Sequence, residues 1–298
     1  MKHNLKVTLI ILAMFVITQF IGLYVINHYS IQGNLLPYGM QPPAPESHSD
    51  YYTSFFPSIV IAFIFAIVLL ILVTKFNMNF IIKLWFFVVI LLALGIFFVS
   101  FFPNQNLTVI SIIALVIALP LAIFKVYKRS FIVHNLTELM IYPSIAAVFV
   151  PLLTFWTVIL LLILISIYDM WAVWKSGIMQ KMAKYQINHL KIFSGFFVPY
   201  LSKKVKMELK DIPKSKLKNK KIKANVAILG GGDVVFPIIT AGVLFIEFGF
   251  LPALFVIIGA TLGLSYLLFF AEKKKFYPAM PFITAGILLG MAVGLIIF

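Results

Sequence analysis

Cysteine is absent from this chain of 298 residues, which removes disulfides, thiolate nucleophiles and cysteine-based metal sites. Charge is scarce as well: Asp, Glu, Lys and Arg make up 11% of the chain, against about 25% in a soluble domain. Arginine occurs once among 24 basic residues. Without arginine there is little to read phosphates or base edges, so the net charge of +15 does not indicate a nucleic-acid partner. Neither HExxH nor a paired histidine spacing occurs among His3, His28, His48, His134 and His189, which lie at or beyond the ends of the apolar runs. That excludes a zinc protease, and no histidine is buried in an apolar run opposite a serine, which excludes a serine–histidine protease of the membrane.

What fills the chain instead is apolar: 62% of residues are hydrophobic and the mean hydropathy is +1.08. The fold class expected is an all-α polytopic membrane protein. Nine segments have about the 20 residues that cross about 30 Å of hydrocarbon. They run from 6 to 27, 53 to 74, 79 to 101, 107 to 124, 131 to 150, 152 to 174, 224 to 246, 250 to 271 and 278 to 298. Pro151 marks the turn between the fifth and sixth, which are otherwise continuous. The first segment is too long, and too poor in small residues at its end, for a cleaved leader, so a retained span is expected.

All 24 basic residues fall in alternate gaps or at the segment ends that border them, counting the N-terminus as the first, and fourteen of them run from Lys175 to Lys223. Cytoplasmic loops retain Lys and Arg, so nine spans with the N-terminus inside and the C-terminus outside satisfy every loop. The lysines adjoin the membrane, where anionic headgroups are their natural contacts. One membrane domain over 1–298 is expected, in three parts: six helices over 1–174, a cytoplasmic lysine-rich loop over 175–223 and three helices over 224–298. Residues 28 to 52 read as an irregular outer loop, rich in Pro, Gly and Ser. Within the inner loop, Ser202 to Lys223 reads as a solvated linker. The apolar patch Ile192 to Leu201 reads as an interfacial helix, or as an occupant of a substrate groove.

Two acids break the apolar pattern. Asp169 lies in the sixth segment and Asp233 in the seventh, and an ionised carboxylate in hydrocarbon costs at least ~2.5 kcal/mol, so each marks a functional site. Asp169 precedes Lys175 by six residues, roughly 9 Å of helix, and Asp233 follows Lys223 by ten, roughly 15 Å. Antiparallel neighbours would bring both carboxylates together in the cytoplasmic third. The backbone around Asp233 is also weak. Gly230, Gly231 and Gly232 precede it, each costing about 1 kcal/mol in a helix interior, and Pro237 cannot bond the Asp233 carbonyl. Such backbone persists in a membrane only where protein or a water-filled cavity satisfies it. Pro278-Ala279-Met280-Pro281 is a second irregular point. Broken helices with buried acids also suit a transporter or ion pathway using the same acids. Its inverted repeat is not found between the halves. Glu138 reads as a carboxylate snorkelling to the interface.

Tyr168-Asp169, Gly230-Gly231-Gly232-Asp233 and Pro278-Ala279-Met280 resemble, in order and on the sixth, seventh and ninth segments, the YD, GxGD and PAL motifs of the presenilin and signal peptide peptidase intramembrane aspartyl proteases. Compact size and short termini resemble the archaeal presenilin homologues. The resemblance implies a presenilin-like fold and a catalytic pair of Asp169 and Asp233. Tyr168, Gly230, Gly231 and Gly232 would support that pair, and Pro278, Ala279 and Met280 would line the substrate groove. It implies no metal or cofactor, transmembrane substrates, no obligatory accessory subunits and residence in the cell membrane of a prokaryote. Met280 stands where the motif has Leu, a volume-conserving change. Gly231 stands where presenilins have Leu, at a position the family associates with substrate choice. A carboxyl pair would share one proton, one member taking a proton from water and the other donating to the scissile carbonyl. The substrate helix would unwind and pair as an added strand.

Overall fold

The computed structural model describes residues 5–41, 50–75, 79–102, 106–128, 130–176, 194–200, 225–271 and 277–298. Most of the inner loop, including the lysines from Lys181 to Lys191 and from Lys203 to Lys223, lies outside these residues, as do His3, His48 and His189. Nine α-helices occur among the described residues: α1 (Leu5–Ile26), α2 (Phe56–Lys75), α3 (Asn79–Val99), α4 (Leu107–Tyr127), α5 (Phe131–Phe149), α6 (Phe155–Trp171), α7 (Gly231–Phe248), α8 (Phe250–Phe270) and α9 (Met280–Ile297). Eight of them, all but α2, lie in stretches with the length and composition to cross a membrane. Helix α2 has a comparable 20 residues.

Local chemistry sets the boundaries. Asn106 caps α4, its side-chain oxygen accepting from the amides of Thr108 and Val109 at 3.1 and 3.4 Å. The expected turn at Pro151 is a short 3₁₀ segment, Val150–Leu152, after which Thr154 and Thr157 form a reciprocal cap for α6. Gly249 alone separates α7 from α8 and turns the chain with φ 95°, a conformation that costs glycine little and other residues more.

Packing in a bilayer cannot rely on the hydrophobic effect between helices, so close approach matters more. Helices α8 and α9 meet along a seam of glycines. A Cβ on Gly259 would overlap the Gly286 carbonyl oxygen, and one on Gly290 would overlap that of Phe255. Helix α1 packs against α5, α7 and α8, while α6 packs against α7 and α9. The N-terminal ends of α7 and α9 thus lie near the C-terminal end of α6.

The residues between α6 and α7 depart from expectation. The patch expected as an interfacial helix or as an occupant of a substrate groove is not helical in its described part, where Gly195–Tyr200 forms a strand, β1. Residues 225 to 230 of the expected seventh span form a second strand, β2 (Asn225–Gly230). They pair antiparallel, Gly195 opposite Gly230 and Tyr200 opposite Asn225. The reason is legible afterwards: Val198, Val226 and Ile228 are β-branched and Pro199 stops a helix, while alternate residues such as Phe196 and Val198 are buried. Helix α7 therefore starts only at Gly231.

Candidate active site

Asp233 is the third residue of α7, with Gly230 at the N-cap. Its carboxylate accepts from the Gly230 amide, the reach-back half of a capping box, in a position where the helix dipole favours negative charge. The three glycines are consequently at a strand-to-helix junction, not in a helix interior as expected. Close approach is required at Gly231. A Cβ on Gly231 would sit 2.7 Å from Ser194 Oγ and 2.9 Å from the Tyr142 hydroxyl.

Asp169 lies in the last turn of α6 and is 6% exposed. Its own helix presents a negative end there, yet the Met280 amide donates to Oδ2 at 3.0 Å and the Ala279 amide donates as well. Asp169 therefore caps α9 from another helix, through charge-assisted bonds stronger than neutral ones. One turn earlier, Ser166 donates to Thr284 of α9 at 2.8 Å, a second polar tie between the same helices. Asp169 lies within Coulombic reach of Asp233. Two carboxyl groups, one on α6 and one on α7, thus lie within electrostatic range of each other, Asp169 against the N-terminal end of α9 and Asp233 in the first turn of α7.

Of the other residues singled out in the sequence, Tyr168 is half-exposed and borders a cavity of about 560 Å³ between α2, α5, α6 and α7. Val60, Tyr142, Leu161, Gly231 and Phe236 also line that cavity, whose wall is largely apolar. Pro278 and Met280 are buried, and the segment meets Asp169 through backbone amides without bordering this cavity.

Glu138 is not the snorkelling carboxylate expected. It is 1% exposed and forms an ion pair of 2.8 Å with Lys125 of α4. An interfacial lysine one helix away supplies the charge that snorkelling would otherwise seek in water. Sequence reading also passed over Gln19, which donates to the Val234 carbonyl at 3.2 Å beside Asp233, and over Asn135, Tyr142 and Ser194. A buried glutamine in an apolar helix was the available signal for the first.

The family profile described as "Signal-peptide peptidase, presenilin aspartyl protease" matches residues 12–298. The chain belongs to that family. Signal-peptide peptidase and presenilin proteases are intramembrane aspartate proteases, and the chain is accordingly a multi-pass membrane protein of that enzyme class. Two solved structures, each of a presenilin family intramembrane aspartate protease, share the fold. One, in space group C222, has 19% identity and a TM-score of 0.61, with 98% of this chain and 99% of that one covered. The other, in space group P2, has 18% identity and a TM-score of 0.60, with 99% and 98% covered. No curated protein matches significantly.

Proposed function

We propose that Asp169 and Asp233 are the catalytic pair of an intramembrane aspartyl protease that hydrolyses peptide bonds within transmembrane segments of membrane proteins. The observation that supports this reading is that two carboxyl groups from different helices, each bonded by backbone amides at a helix N-terminal end, lie within electrostatic range of each other. Fixed amide donors hold the carboxyls without reorganisation during reaction. The pair shares one proton. Its ionised member takes a proton from water as the oxygen attacks the scissile carbonyl, and its protonated member donates to the carbonyl oxygen, giving a tetrahedral diol. Collapse returns a proton to the leaving amine.

A substrate helix must expose its backbone first. Strand β2 offers partners: the amide and carbonyl of Phe197 are both used on the outer edge of β1, so Phe197 and Ile228 form a pair that is not hydrogen-bonded across the sheet. The backbone groups of Ile228 and, two residues away, Val226 therefore face away from β1. An extended substrate pairs along this edge, and β2 leads it to Asp233, three residues beyond the strand. Tyr168, Gly231 and Gly232, all on the apolar cavity, contact the incoming segment, and Gly230 lets the Asp233 carboxylate approach the backbone closely. Ala279 and Met280 serve this site by presenting the amides that hold Asp169, and Pro278, which has no amide hydrogen, leads the chain into that turn. The reading includes an N-terminus in the cytoplasm, a C-terminus outside, a prokaryotic cell membrane and the three-part division at 174 and 223.

The test is incubation of purified protein with a single-span substrate, with and without a transition-state-mimicking aspartyl protease inhibitor. Cleavage that the inhibitor blocks, and that Asp169→Asn and Asp233→Asn each reduce at least about a thousandfold, is the expected result, because members of a catalytic unit are not additive. Cleavage that persists in either folded variant contradicts the assignment.

A further inference from the structure

The outer edge of β1 is closed by α5 in a way the chemistry above does not require. Asn135 places its amide against Phe197 as a neighbouring strand would: Nδ2 donates to the Phe197 carbonyl at 2.7 Å and Oδ1 accepts from the Phe197 amide at 2.9 Å. One turn of pairing away, His134 Nε2 donates to the Gly195 carbonyl at 2.7 Å, and the Gly195 amide points to Glu138 Oε1 at 3.5 Å. Lys125 holds Glu138 in place at 2.8 Å and also donates to Thr137 at 3.2 Å. The next outer-edge position is Pro199, which has no amide hydrogen to satisfy. Phe196, on the strand between these anchors, is fully buried and meets the Tyr142 ring edge-on at 5.5 Å between centroids.

Helical side chains thus occupy the β1 edge at successive outward positions, while among the described residues nothing is paired with the β2 edge at Val226 and Ile228. An open strand edge accepts any chain of the right register, and a slip by two residues preserves which face is buried. Register on β2 must therefore be set by something rigid, and β2 is located by its pairing with β1 and by its direct continuation into α7.

Resting on the protease reading above, we propose that Asn135, with His134 and Glu138, is a positioning clamp that fixes the height of the strand pair against α5. It thereby selects the peptide bond delivered to Asp169 and Asp233. Asn135 touches no reacting atom; it acts through Phe197 and β2.

Two measurements test this on the full-length protein in detergent: amide hydrogen exchange over 194–200 and 225–230, and mass spectrometry of products from a single-span substrate. Asn135→Ala is expected to speed exchange in both strands about tenfold and to spread cleavage to bonds two residues from the parent site, with kcat lowered more than KM. Asn135→Asp, which keeps the acceptor for the Phe197 amide, should restore part of the protection and of the product pattern. His134→Ala, which removes the bond to the Gly195 carbonyl and the ring contact with Phe197 but leaves Asn135 in place, should give a weaker form of the same changes. Unchanged exchange and an unchanged product pattern in folded Asn135→Ala overturn the clamp. Exchange requires no turnover, so a parent protein that cleaves nothing contradicts the protease reading while the exchange result still decides whether the clamp exists.

Discussion

Gly231 shows how one missing Cβ shapes the site. Its Cα approaches Ser194 and the buried Tyr142 so closely that a methyl group would lie under 3 Å from both hydroxyl oxygens. The Tyr142 hydroxyl also donates to Glu138, so it cannot swing away without leaving a buried carboxylate poorer by one bond. Gly231→Ala should lower the melting temperature by several degrees, corresponding to about 1–3 kcal/mol for overpacking. Combining it with Tyr142→Phe, which removes the obstructing oxygen, should recover part of that loss. A thermal melt of the two variants in detergent checks both statements, and a loss that the second change leaves untouched would place the strain elsewhere. The presenilin leucine at this position therefore has no room here unless Tyr142 and Ser194 move. The glycine triplet was visible in the sequence, but its partners were not, because Tyr142 and Ser194 stand 89 and 37 residues before Gly231 and meet it only through the fold.

At the scale of elements, the α8–α9 seam governs the carboxyl pair at a distance. Helix α9 begins with the Met280 amide that holds Asp169, and its position is set by glycines lying against α8. Gly286→Leu would drive a side chain into the Gly259 backbone and push the helices apart. The expected outcome is at least a hundredfold loss of cleavage together with reduced thermal stability. The milder Thr284→Val, which removes only the Ser166 tie, should lower turnover several-fold while leaving the melt within a few degrees. Turnover and melting measured on the same preparations separate these cases. Equal loss of activity in both would argue that the seam does not act through Asp169. The helices other than α7, which starts seven residues later than expected, were readable from length and hydropathy to within three residues. The strand pair was not, because six-residue apolar stretches beside a span carry no periodicity that separates a strand from the adjoining helix.

For the whole molecule, charge distribution and proton sharing each give an expectation. Basic residues in alternate gaps predict that tags at the N-terminus and near Lys218 report the cytoplasmic side, and that a tag after Phe298 reports the opposite side. A reporter or protease-protection assay checks this, and a C-terminus on the cytoplasmic side would require a different number of spans. The shared proton predicts a bell-shaped dependence of cleavage on pH. In acid both carboxyls are protonated and no base remains; in alkali both are ionised and no acid remains. Initial rates across the range, in a detergent that keeps the protein folded throughout, test the form of the curve. A rate rising steadily to pH 9 would assign the chemistry to some other group.

The sequence alone determined that this chain lives in a bilayer, roughly where its helices run, and which two acids are out of place there. These properties depend on local composition, and hydrocarbon punishes a stray charge wherever the chain folds. The three motifs pointed to the protease family for the same reason, being short contiguous stretches. Only the tertiary structure decided what surrounds the acids. It turned the α9 amides toward Asp169, moved the glycine triplet from a helix interior to a junction, paired Glu138 with Lys125 and laid Asn135 along β1. Each of these is a contact between residues distant in sequence or on separate elements. Hydrogen bonds of that kind form only after packing has brought the partners within about 3 Å.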